Sequence, residues 1–190
     1  MSMSDRWVEA EFESIFREHH PRIVRVVRRV LRRDSEAEEV CAEVFFRLYR
    51  KGPGVAASGQ VGGWLFRTAT RAAIDTLRAN RRRGVEEELE GNVFVLTDGH
   101  AEGPLAGLLR QERIAEIRGV LAKLKVDKAQ ILLLRHSGLS YREIAEAMQM
   151  SFNSVGTRLA RAEAEFSALY ERQQRQSLKR EQLQAAKEGQ

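Results

Sequence analysis

Apolar residues recur at helical spacing from the start of the chain. Trp7, Phe12, Ile15 and Phe16 are followed by Ile23, Val26, Val27, Val30 and Leu31, a repeat of three and four that predicts a helix over residues 5–33. Pro21 lacks an N–H and is expected to kink this stretch or to start a second helix. Ser35 and Glu38 stand at capping-box spacing and should open the next helix. Its stripe runs Ala37, Val40, Cys41, Val44, Phe45, Leu48 and Tyr49. Gly52-Pro53-Gly54 should stop it, and residues 52–63, rich in glycine, read as a mobile loop. Trp64 to Arg83 forms a further helix whose apolar side is marked only roughly. It ends in a run of arginines, which suits a helix C-terminus.

Residues 84–107 show no clear period and read as a linker with one apolar patch, Val93 to Leu96. Helix returns near Leu108 with Ile114, Ile117, Leu121 and Leu124 on one side. Asp127 and Gln130 fit another N-cap box ahead of Ile131 to His136. Ser137-Gly138-Leu139 breaks the chain, and Ser140 with Glu143 makes a third box. A long final helix carries Val155, Leu159, Ala162, Phe166 and Leu169. Residues 172–190 have no core face and are expected to fray or to be disordered.

Composition narrows this picture. Ala, Glu, Lys, Leu and Arg make up half of the 190 residues, with three Pro, which favours an all-α chain over any sheet protein. The single Cys41 excludes an internal disulfide and lies on an apolar stripe, as a buried small hydrophobe would. A reducing cytoplasm is the natural compartment. No apolar run approaches the length of a membrane span, so membrane insertion is not expected. The net charge of +5 is unevenly spread. Residues 1–83 carry 17 basic and 11 acidic groups, whereas residues 84–109 carry six acids and no base. Arginine outnumbers lysine 26 to 6, and a guanidinium fork matches phosphate oxygens. A nucleic-acid partner is therefore plausible. Catalysis is not: the four histidines are scattered without metal spacing, and no glycine-rich phosphate loop or nucleophile elbow is present. No cofactor is implied.

The strongest local pattern is Leu139 to Arg161. A capped short helix, a tight turn and a second helix with Val155 and Leu159 inward make a helix-turn-helix. The outward face of the second helix holds Asn153, Ser154, Thr157, Arg158 and Arg161. Such a helix fits the major groove, where Arg reads guanine and Asn reads adenine.

These residues carry a resemblance. Ser140-Tyr141-Arg142-Glu143-Ile144-Ala145, with Ser154 to Ala162, resembles region 4 of bacterial RNA polymerase sigma factors. Ala37-Glu38-Glu39-Val40, Glu43-Val44-Phe45, Leu48-Tyr49, Trp64-Leu65 and Ile74-Asp75 with Leu77-Arg78 resemble region 2. The ordered pair, with a linker and no other domain, resembles the extracytoplasmic-function (ECF) class. The fold expected is two small helical domains joined by a flexible linker, the second containing the helix-turn-helix. Residues 1–83 would be region 2, 84–107 the acidic linker, 108–171 region 4 and 172–190 a polar tail.

The resemblance implies a non-enzymatic cytoplasmic factor that binds core RNA polymerase, through its β′ coiled coil and β subunit, and directs it to promoter DNA. An anti-sigma factor is an expected further partner. Glu38, Glu39, Glu43 and Arg47 would face the polymerase. Ser58, Gly59, Gln60 and Val61 would read the minus-ten element, and Arg67, Arg71 and Arg78 would track its backbone. Trp64 belongs more naturally to the core, and Asp75 should pair with Arg71 or Arg78 along the helix. The chain departs from common family residues at Ala42, Arg71, Lys125, Gly156 and Glu163.

Overall fold

The computed structural model describes Trp7 and residues 9–31, 33–57, 59–84 and 104–188. Val93 to Leu96, most of the acidic linker and Ser58 lie outside these. The described residues form eight helices and no strand: α1 (Glu9–Val30), α2 (Asp34–Lys51), α3 (Gly54–Ala57), α4 (Val61–Arg83), α5 (Pro104–Lys123), α6 (Val126–His136), α7 (Tyr141–Met148) and α8 (Phe152–Glu188). Helices α1 to α4 make one domain and α5 to α8 the other.

Each helix follows its apolar stripe. In α1 the side chains of Ile23, Val26, Val27 and Val30 are buried, against Ala37, Cys41, Val44, Phe45 and Leu48 of α2. Pro21 neither divides α1 nor starts a second helix; the helix runs through it. The C-cap of α2 is Gly52, whose φ of 78° is a left-handed value that suits a residue without Cβ. The glycine-rich loop is partly ordered, since α3 lies within it, and α4 begins three residues before Trp64.

The three proposed capping boxes fare differently. At Ser140 the box is complete: the Glu143 amide donates to Ser140 Oγ at 3.3 Å, and the Ser140 amide donates to Glu143 Oε2 at 2.8 Å. The other two do not form. The N-caps are Arg33 for α2 and Lys125 for α6, neither with a side-chain cap. Near α2 the acids are drawn away by Arg28, which meets Asp34 at 3.1 Å and Glu38 at 3.7 Å. Gln130 is drawn away by α4, as described below. Tyr49, placed on the buried stripe by its spacing, is 55% exposed. Its carbonyl accepts from Trp7 Nε1 at 3.0 Å, and its ring meets Phe12 edge-on at 5.3 Å. The tail expected to fray is helical as far as Glu188.

α4 lies at the centre. It packs on α1 and α2 with one side and on α6 and α7 with another, and it buries Leu65, Phe66, Ala69, Thr70, Ala73, Ile74 and Leu77. The two domains thus share one contiguous apolar core.

Candidate nucleic-acid interface

The helix-turn-helix comprises α7, the turn at Gln149 and the start of α8. Gln149 takes φ 51° and ψ 50°, a left-handed C-cap that swings the chain into α8. Ile144, Ala145 and Ala147 of α7 pack inward with Val155, Leu159 and Ala162 of α8. That burial turns Asn153, Thr157, Arg158 and Arg161 to solvent on one side of α8, with Ser154 half-buried beside them. Glu165 is held by Lys128 through an ion pair, which removes it as a partner for Arg158. Phe152 is 56% exposed at the N-terminus of α8. Its position before the periodic stripe hid it from the sequence pattern.

The second group is on and before α4. Gly59 and Gln60 are exposed, Gly59 with φ 69°, and Val61 is the half-buried first residue of the helix. Trp64 is half-buried against the core, with Lys51 Nζ 5.8 Å from its ring centre. Arg71 points outward, 4.0 Å from Asp75. Arg67 and Arg78 instead face the other domain. Arg67 donates to the Gln149 side chain. Arg78 donates to the carbonyl of Ala122 at 3.1 Å and to that of Leu124. An open cleft of about 550 Å³ brings Gln60 together with Arg142, Glu146, Gln149 and Phe152. The two groups of residues are therefore neighbours.

The third group is on the outer face of α2. Glu38, Glu39, Glu43 and Arg47 are all exposed. Glu38 is tied to Arg28, and Glu43 accepts from Arg47 at 2.7 Å. Phe46, which the stripe omitted, is 54% exposed, and Arg50 sits 6.0 Å from its ring centre. Glu39, Glu43, Phe46 and Arg50 recur at spacings of four, three and four, so they share one face. Phe46 is thus a large apolar side chain exposed among charges on this face. Among the described residues no cluster of His, Cys, Asp or Glu could hold a metal, and no helix is long and apolar enough to cross a membrane.

Family comparison decides what these faces belong to. Residues 15–83 match the model of sigma-70 region 2, and residues 114–166 match that of sigma-70 region 4. Together they take in well over half of the chain, in the order the motifs required. The chain belongs to the sigma-70 family, in its ECF class. It is 29% identical over 157 residues to the RNA polymerase sigma-H factor of Pseudomonas aeruginosa, covering 80% of this chain and 81% of that one. It is 24% identical over 150 residues to the ECF RNA polymerase sigma factor SigK of Mycolicibacterium vanbaalenii, covering 78% and 76%. Against the ECF RNA polymerase sigma factor SigM of Mycobacterium tuberculosis the figures are 24% over 159 residues, 83% and 76%. As a sigma factor it binds core RNA polymerase and promoter DNA and directs transcription initiation. The region 2 match ends at Arg83, where α4 ends, and the region 4 match takes in the second half of α5, all of α6 and α7, and α8 as far as Phe166.

Proposed function

We propose that this sigma factor divides its work among three faces. Residues 1–83 act as region 2, 84–107 as the link, although its last four residues already open α5, 108–171 as region 4 and 172–190 as a polar extension. Asn153, Ser154, Thr157, Arg158 and Arg161 read the minus-thirty-five element in the major groove. Ser58, Gly59, Gln60 and Val61 read the minus-ten element, with Arg67, Arg71 and Arg78 along its backbone. Glu38, Glu39, Glu43 and Arg47, joined by Phe46, dock on the polymerase. The observation that carries this assignment is the side of α8 opposite Val155 and Leu159. It presents two arginines, an asparagine and a threonine to solvent at the point where a helix-turn-helix meets base edges.

The α2 face suits a helical partner. Its contact positions step by four and three, and the likeness to sigma region 2 makes the β′ coiled coil the expected partner, with the β subunit meeting region 4. The cytoplasm is the compartment where such a factor works. An anti-sigma factor that holds the protein until a signal arrives is a further expected partner.

Two substitutions separate the faces. Arg158→Ala should cost about 1–3 kcal/mol at one upstream base pair and relax the preference there, with polymerase affinity unchanged. Glu43→Lys should weaken polymerase binding and leave promoter preference intact. The measurement is promoter selection from a randomised library by reconstituted holoenzyme, together with affinity for core polymerase. An Arg158→Ala profile identical to wild type would remove Arg158 from the reading set. A uniform loss across all sequences, with a shallower salt dependence, would make it a phosphate contact.

A further inference from the structure

One large apolar side chain of the helix-turn-helix belongs to none of the three faces. Phe152 is the first residue of α8 and is 56% exposed. It takes no part in the core. The motif's other exposed ring, Tyr141, is covered by the Arg135 guanidinium, 5.6 Å from its centre. Among the described residues no cation covers Phe152 in this way. A ring of this size held in water forgoes the stabilisation that burial would bring. The helix gains nothing from it either, since a first turn favours acids and proline.

Phe152 stands where a recognition helix meets base edges. The N-terminal residues of such a helix enter the major groove, so the first turn meets the bases end-on and not only along one stripe. Val155 and Leu159 face the core, which fixes the rotation of α8. The first turn is itself tied down, since the Ser154 amide donates to the Ser151 carbonyl at 2.9 Å. Asn153, the next residue, is exposed beside Phe152. Neighbours on a helix surface stand three or four positions apart. Three after Phe152 is the buried Val155, and four after it is Gly156. Gly156 has no side chain, and a Cβ built there would meet the Tyr141 ring at 3.7 Å and no atom of Phe152. One flank of the Phe152 ring is therefore open, above bare helix backbone. The first turn of α8 also holds no acid, so no fixed negative charge there opposes the approach of phosphate.

In the major groove, thymine presents an apolar group, its C5-methyl, beside the donors and acceptors of the base edges. An aromatic ring with an open flank fits a methyl and offers nothing to a donor or an acceptor. Asn153 suits adenine, through N6 and N7, so the two adjacent residues favour A·T pairs. We propose that Phe152 is a specificity-determining residue of region 4, its ring packed on the C5-methyl of one thymine in the minus-thirty-five element. The inference rests on the assignment of α8 to that element. Burying a group of this size is worth about fourfold in affinity, enough to bias one base pair without defining the whole element.

The test removes the methyl and the ring in turn. Holoenzyme is reconstituted from core polymerase and the full chain, and the upstream block it prefers is found by selection from a randomised library. Each thymine of that block, on either strand, is then replaced singly by deoxyuridine, which keeps every hydrogen-bonding group and lacks the C5-methyl. Promoter affinity is measured for wild type, Phe152→Ala and Phe152→Leu. The expected result is a loss of about fourfold for wild type at one thymine, no loss there for Phe152→Ala, and an intermediate loss for Phe152→Leu. In the selection, Phe152→Ala should lose the preference for that thymine and keep the rest of the block, with an unchanged helical spectrum. A wild type indifferent to every deoxyuridine, or a Phe152→Ala variant as sensitive as wild type, would overturn the inference and leave the upstream assignment standing. Weaker binding of Phe152→Ala to core polymerase, with the thymine preference retained, would place the ring against a protein and overturn it equally. A wild type that selects no upstream block would overturn the assignment of α8, and this inference with it.

Discussion

Cys41 and Gly156 show how far single positions could be understood from their neighbours in the chain. Cys41 falls on the α2 stripe, is 1% exposed, and has its thiol pushed up to about 11 by burial. At pH 8 it is therefore a protonated core residue. A thiol reagent should leave the folded protein unmodified and react at once in denaturant; fast labelling of the native chain would contradict the burial. Gly156 lies in the first turns of α8. A Cβ there would meet only the Tyr141 ring, at 3.7 Å, which is ordinary contact. Gly156→Ala should stabilise the protein by about 0.5–1 kcal/mol, read as a rise of about 1–4 °C in Tm; a fall would mean that the ring is crowded. Gln130 could not be read in the same way. Its spacing from Asp127 is that of a capping residue, and nothing local reveals that an acceptor on α4, sixty positions earlier, will claim its amide.

Among the elements, those whose ends are set locally were legible. The Ser140–Glu143 box opens α7 as its four residues alone require, and Gly52 closes α2. Where a tertiary partner intervenes, the local rule fails: Arg28 takes the acids at the start of α2, and a continuous α1 accepts Pro21 because both of its ends are packed. The α7 cap carries a pH signature. The Arg22 guanidinium first, and the Ser140 amide second, hold the Glu143 carboxyl below the usual carboxylate range. A group whose pKa is lower folded than unfolded contributes stability that is complete above the unfolded value, near 4.5, and is lost as pH falls through the folded one. Glu143→Gln should therefore be less stable than wild type by a constant amount between about pH 6 and 8. The difference should shrink as pH drops below about 4. Urea unfolding at several pH values measures it; a difference that grows on acidification would contradict the sign.

In the whole molecule, the order of two motif blocks was visible in the sequence and their contact was not. The reason lies in α4. A helix with one buried face shows a clean stripe, as α1 and α2 do, whereas α4 packs against helices from both domains and buries Thr70 along with Leu65 and Ile74. Its period consequently looks indistinct, and the polar residues that bind the second domain resemble ordinary surface. The basic run at its end was legible as charge, but Arg78 turns out to serve a helix terminus. The exposed reading face of α8, by contrast, is opposite a simple core stripe, which is why spacing alone could outline it.

The most direct test of the account is transcription by core polymerase with and without this protein, on a library of random upstream sequence, with start sites mapped and the active templates sequenced. The account predicts initiation that depends on the protein, and two enriched blocks at a fixed separation of about 25 base pairs centre to centre, some 85 Å of duplex. A single enriched block, or start sites unchanged from core polymerase alone, would contradict it.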